Sequence, residues 1–423
     1  MPVIATGVRL PWDAVVEDPV AALADARSHV GDTFVVDSGG DRYLFLFSPM
    51  GVAALYGLPE EKASKGVADW RMLRRKLPDE VFAGRRVLPH QLFGREDVAS
   101  YLRNVELAVA TAADELGSEG EVDLFSLSRR LGHRVGLASW GGPGATEGER
   151  FETLVRALDQ LDGSESFVHP DAMAQVAATD KAAERAALAE VTEQLGRGLR
   201  RERLGVDEDE HTLFDRVVHA WADAEPAEAA TGICLDVTLI HVASMSNLFA
   251  ALGWHLVDLL EHPDEAEAVR LGDVALAETC ALESTRMAQR SIMARFTVAP
   301  VTIDIEEGPL AVPSGMTVAT LLPLTNRSAA PGFDVWDPTR WNRRRLRTPN
   351  GLAAAELVTV FGHGGHSCPA RPFSLSAMTL TSRRLLSQFR WELSWSGHPD
   401  PVSAQIGGVA RSAAPCRARY WRR

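Results

Sequence analysis

Phe361-Gly362-His363-Gly364-Gly365-His366-Ser367-Cys368-Pro369-Ala370 sets one cysteine between a glycine-rich run and the apparent start of a helix. Gly362, Gly364 and Gly365 relax the backbone sterics, so the main chain can lie close against a flat group. Pro369 suits a first helical turn, where its missing N–H costs nothing. Cys368 then sits where unpaired backbone N–H groups and the helix dipole favour a thiolate over a thiol. A thiolate presented this way is a metal ligand, and for haem iron it is an electron-rich axial one.

The rest of the composition narrows what can surround that loop. The chain has 423 residues, 46% hydrophobic and 24% charged, with a formal net charge of −13, a balance ordinary for a soluble globular protein. The acidity argues against a general nucleic-acid binder and lends nothing to a membrane-surface role. Cys234, Cys280, Cys368 and Cys416 are far apart and form no Cys-x-x-Cys pair, which speaks against a zinc ribbon or a disulfide scaffold. A reducing cytoplasm is the expected setting. Residues 1–12 are too short and too interrupted to read as a signal peptide or anchor, so no membrane association is expected.

Outward from the cysteine, helical spacing dominates. A helix over 19–30 precedes strands at 33–37 and 42–47, which flank Ser38-Gly39-Gly40-Asp41 as a hairpin. Apolar spacing of three and four predicts helices over 98–116, 124–137, 148–161 and 180–201, with 161–180 an irregular, lid-like connection. Pro226 opens the longest helical run and His262-Pro263 closes it, giving a helix over 226–261. Further helices are predicted over 273–289 and 369–389, strands over 297–303 and 316–319, a Pro- and Arg-rich connector over 328–350, and a closing hairpin over 406–420. The expected fold is mainly α with small β-sheets in one domain, 1–423. Its β-rich part is about 30–60, 297–320 and 390–423; its helical part is about 98–290 and 369–389.

Glu283-Ser284-Thr285-Arg286 places an acid and a base three apart on one helix face, well upstream of the cysteine. The order Phe-Gly-x-Gly-x-His-x-Cys-x-Ala, preceded by Glu-x-x-Arg, resembles the cytochrome P450 superfamily. That resemblance implies a P450 fold holding haem b (iron protoporphyrin IX) between a long distal helix and the proximal cysteine loop. It makes Cys368 the iron ligand and lines the cofactor with Phe361, Gly362, Gly364 and Ala370. It gives His366 and Arg295 to the propionates, with a third contact expected among Arg85, Arg86 and His90. It also makes Glu283, Arg286 and Arg340 a buried structural lock behind the loop.

On the long helix the resemblance points to Ala243-Ser244-Met245-Ser246-Asn247. Ala243 matches the usual small residue, Ser246 stands where the family carries an acid, and Asn247 where it carries threonine. This is similar to the variant found in prostacyclin synthase and cholesterol 7α-hydroxylase. Asn247 can both donate and accept, and could hold a water. Ser244 and Ser246 would extend that chain, or would only bond their own helix. His241 is about 120° round the helix from Asn247, off the haem side.

The activity implied is oxidation of a medium-sized lipophilic small molecule by a monooxygenase, in secondary metabolism, with electrons from a ferredoxin and its reductase. The alternative is oxygen-independent rearrangement or dehydration, or peroxide-driven oxidation, motivated by Ser246-Asn247; a haem sensor without turnover is a third reading. The arginines Arg340, Arg343, Arg344, Arg345 and Arg347 would steer an acidic ferredoxin to the cysteine side. A cytoplasmic monomer is expected. By resemblance the substrate pocket draws on 67–89, 166–176, 240–249, 291–296 and 405–409, with Trp70, Phe82 and Phe167 as walls.

Overall fold

The computed structural model describes residues 2–86, 93, 98–162, 169–202, 212–342 and 351–423. About 54% of the chain is helical, so the mainly α expectation holds, and the strands form small sheets beside the helices. The helix Pro226–Glu261 spans 36 residues, about 54 Å at the α-helical rise. It begins and ends where Pro226 and Pro263 punctuate the sequence. It packs along the helix Leu124–Trp140 and against Val274–Ala288. The helix is long and apolar enough to cross a membrane, yet most of that apolar stretch is packed inside the protein.

Between Gly232 and Leu259 the side chains are buried or half-buried with two exceptions, Ala243 and Asn247. They are one turn apart and share a face. An exposed stripe in the middle of a core helix marks a place where the surrounding helices do not close over it.

A six-stranded sheet runs in the order Val3–Ile4, Thr33–Ser38, Asp41–Leu46, Thr317–Leu321, Ile292–Thr297, Ala63–Ser64. Phe34, Phe45 and Phe47 stack on its inner face. Val301–Ile305 and Gly308–Val312 form a separate ribbon. A three-stranded sheet carries Phe389–Leu393 and Glu119–Asp123 on either side of Arg417–Arg422.

Several sequence-based boundaries are corrected. The strand expected over 297–303 is two strands. Thr297 ends one, Val298 and Ala299 turn to donate their N–H groups to the Lys62 carbonyl, and Pro300 precedes the other. The β-rich part does not run to residue 60, because Ser48 caps a helix over Pro49–Gly57. Inside the irregular 161–180 stretch lies a helix, Pro170–Ala178, opened by its proline. The helix after the cysteine covers Arg371–Gln388, so Pro369 lies outside it and Pro372 occupies the first turn. The tail is not a hairpin over 406–420. Only Arg417–Arg422 is a strand, and it pairs with segments from elsewhere in the chain.

Candidate active site

The glycine loop folds tightly on itself. The Cys368 N–H donates to the Phe361 carbonyl at 2.6 Å. Gly362 adopts φ +77°, and a Cβ there would lie 2.4 Å from the His366 carbonyl oxygen, so only glycine fits. Cys368 is half-buried and free of any disulfide. Although the helix starts three residues later than Cys368, the N–H groups of Ala370 and Arg371 still reach its sulfur. Burial pushes the thiol pKa up and those two N–H groups pull it down, with burial prevailing in the protein alone. Positive charge at the sulfur would reverse that balance. One half-buried thiol, facing N–H donors at the end of a glycine cradle, fits a single axial thiolate ligand.

Behind the loop, Glu283 and Arg286 are both fully buried and paired through two bonds, Nε to Oε2 at 2.8 Å and Nη2 to Oε1 at 2.7 Å. Arg340 Nε adds 2.8 Å to Glu283 Oε1. The structure therefore brings together the three residues expected to form a lock. Sequence reasoning missed the partners that complete it. Trp341 Nε1 and the Asp337 N–H also donate to Glu283, at 2.8 and 3.0 Å. Arg286 Nη1 donates to the carbonyls of Asn326 and Phe333. Asn326 in turn exchanges two bonds with Thr359, and Gln289 donates to the Val360 carbonyl. Those contacts end one residue before Phe361, so the buried pair is tied mechanically to the cysteine loop. Phe361 itself is half-buried against the main core.

The expected propionate contacts are placed differently. Arg295 is fully buried. Its guanidinium donates to the carbonyls of Ala63, Leu55 and Tyr56 and to Glu60 Oε2 at 3.1 Å. Arg295 thus holds the sheet to the helix Pro49–Gly57 and offers no exposed donor. His366 Nε2 lies 3.6 Å from the same Glu60 oxygen. Burial and the Arg295 charge hold its imidazole below the usual histidine range. Glu60 is buried enough to raise its pKa, but donors from Ser64, Lys65, Gly66 and Arg295 outweigh that and keep it ionised. Its carboxylate occupies the seat between the Arg295 guanidinium and the His366 imidazole that a cofactor carboxylate would need, a residue that no sequence signal distinguished.

Arg85 donates to Asp223 and the Ala220 carbonyl, and Arg86 to the Val81 and Glu80 carbonyls beside Asp236. Both are engaged in local structure. His90, Phe167 and the arginines 343–347 lie outside the described residues. Trp70 is exposed and Phe82 half-buried. His241 is buried on the far side of the long helix: Trp140 Nε1 donates to its Nδ1 at 3.1 Å, and its Nε2 faces His133 Nδ1 at 3.0 Å. The indole can only donate, so the His241 proton sits on Nε2 and points to His133. Burial and the neighbouring His133 keep His241 neutral well below its ordinary pKa.

On the exposed stripe, Asn247 Oδ1 accepts from the Val409 N–H at 2.9 Å. Gly364, Gly365 and Ser367 are exposed on the loop side, and Ala370 is buried. Ser244 and Ser246 are half-buried and make no side-chain hydrogen bond to a described residue, not even to their own helix.

No family model matches the chain. Two curated proteins do. One is a 24-hydroxycholesterol 7-alpha-hydroxylase of Homo sapiens, 26% identical over 209 residues, which is 43% of this chain and 42% of that protein. The other is the cytochrome P450 monooxygenase pynD of Aspergillus niger, 24% identical over 172 residues, 37% of this chain and 36% of that protein. They support the cytochrome P450 superfamily. The chain spans less than half the length of these P450 relatives.

Proposed function

We propose that this chain binds haem b through Cys368 and acts as a cytoplasmic P450 monooxygenase on a medium-sized lipophilic small molecule. The observation that carries the reading is the thiol at the end of a glycine cradle, tied through Thr359 and Asn326 to the buried Glu283–Arg286 pair. The printed names of the two relatives, a hydroxylase and a monooxygenase, favour this over oxygen-independent rearrangement. When bound, haem would supply activation of dioxygen for insertion of one oxygen atom into the substrate. The balance is RH plus dioxygen, two electrons and two protons, giving ROH and water. The electrons would come from a ferredoxin and its reductase, and a secondary-metabolite tailoring step is the proposed setting.

The chain's own residues divide the remaining work. Ala370, Phe361 and the loop glycines would shape the cysteine side. Ala243 keeps the distal face open, because a methyl group is all that projects there. Ser244 and Ser246 hold hydroxyls free of the helix backbone, able to pass protons. His366 is the remaining candidate for a propionate, in competition with Glu60.

The carbon monoxide spectrum of the reduced, haem-loaded protein tests this. The expected result is a thiolate-type Soret band that Cys368→Ala abolishes while the fold is retained. A folded, haem-loaded wild type lacking that band would sink the reading.

A further inference from the structure

The Val409 N–H can only donate, so the atom of Asn247 that meets it at 2.9 Å is the carbonyl oxygen, and the amide orientation is settled by chemistry. The segment that supplies this N–H is fixed from several sides. Gly407 N–H donates to the Arg290 carbonyl and Arg290 N–H to the Gly408 carbonyl, at 2.8 and 2.9 Å. Arg290 Nε donates to the Gln405 carbonyl at 2.6 Å, and Trp254 Nε1 to the Ala410 carbonyl at 2.6 Å. Gly408, at φ +68°, has room for Asn247 only because it lacks a side chain: a Cβ would lie 2.4 Å from Oδ1. The amide cannot turn over without losing the Val409 bond and pressing Nδ2–H against the same N–H.

The consequence lies at the other end of the amide. Asn247 is exposed, and its Nδ2 has no partner among the described residues. What the middle of the long helix presents outward is therefore an amide nitrogen with two N–H donors, its oxygen being turned to Val409. A threonine hydroxyl both gives and takes a proton; this nitrogen only donates.

We propose that the Asn247 amide is a fixed hydrogen-bond donor to the substrate, so that the chain selects molecules carrying an acceptor oxygen, such as a ketone, beside the carbon to be oxidised. This rests on the monooxygenase reading above. Ala243, one turn away on the same face, adds no bulk that would keep such an oxygen from the amide.

The test uses the haem-loaded full chain and a probe panel of terpenoid and steroid ketones, each matched with its deoxo hydrocarbon, titrated by the shift of the haem spectrum. Asn247→Asp keeps an oxygen for the Val409 N–H and removes both donors. Ketones should bind the wild type about tenfold or more tighter than their hydrocarbons. That ratio should collapse toward one in Asn247→Asp, at unchanged thermal midpoint. A ratio that survives in the variant overturns the proposal, as do hydrocarbons binding as tightly as ketones, or a panel in which no ketone binds. Loss of the thiolate carbon monoxide band would instead defeat the haem reading, so the two failures are separable.

Discussion

Gly408 and Asn247 constrain one another at the scale of single atoms. An alanine at 408 meets two costs. The first is the left-handed backbone, φ +68°, and the second is the 2.4 Å approach of its Cβ to Asn247 Oδ1. Gly408→Ala should lower stability by about 2–3 kcal/mol in denaturant unfolding. In an Asn247→Ala background only the backbone cost remains, about 1 kcal/mol. The double-mutant cycle should therefore show a coupling of at least about 1 kcal/mol, and strict additivity would mean that the two residues do not touch. The motif at 243–247 pointed to Asn247 as a site residue. Its partner could not be found the same way, because Val409 is more than 160 positions away and the contact runs through a main-chain N–H that no side chain advertises.

At the level of elements, the Glu283 helix, the segment 333–341 and the residues 359–360 that lead into the cysteine loop form one polar unit inside the core. Five donors converge on the Glu283 carboxylate: two from Arg286, one each from Arg340, Trp341 and the Asp337 main chain. Removing that carboxylate leaves two buried guanidinium groups uncompensated. Glu283→Ala should cost roughly 3–5 kcal/mol, whereas Glu283→Gln, which keeps an acceptor, should cost less. Loss of haem to an apoprotein acceptor should be faster in both, in the same order. Equal rates in wild type and Glu283→Ala would break the link between lock and loop. Much of this unit was legible, since Glu283 and Arg286 share a helix face and Arg340 stands in a recognisable segment. Trp341 was not, because an indole beside an arginine reads as ordinary core. Arg295 was misread for a related reason: spacing locates an arginine, but the carbonyls of Leu55, Tyr56 and Ala63 and the Glu60 carboxylate that absorb it come from the other end of the chain.

Across the whole molecule, buried neutral histidines contribute to the response to acid. His255 is fully buried, its Nε2 3.1 Å from Ser382 Oγ and its Nδ1 without a partner among the described residues. Burial pushes its pKa down to about 3. The imidazole stays neutral in the folded state and protonates near 6.5 when unfolded, so its contribution is complete above pH 6.5 and is lost as the pH falls toward 3. The wild type should lose on the order of 5 kcal/mol over that window from this residue, with His241 adding in the same direction. His255→Leu should flatten the slope, since Ser382 keeps its bond to the Thr379 carbonyl. A slope that is identical in His255→Leu would assign the acid limb to other groups.

The three-stranded sheet has a consequence in time. Its central strand is Arg417–Arg422, and one of its outer strands is Glu119–Asp123. Trp421 is in register with Glu119, and the Tyr420 hydroxyl donates to the Leu116 carbonyl. As the chain is synthesised, Glu119–Asp123 leaves the ribosome with no neighbour to pair with and must wait for almost three hundred further residues. Through that interval its free edge is protected by charge alone, Glu119, Glu121 and Asp123, the kind of residues that keep an unpaired strand from recruiting a second chain.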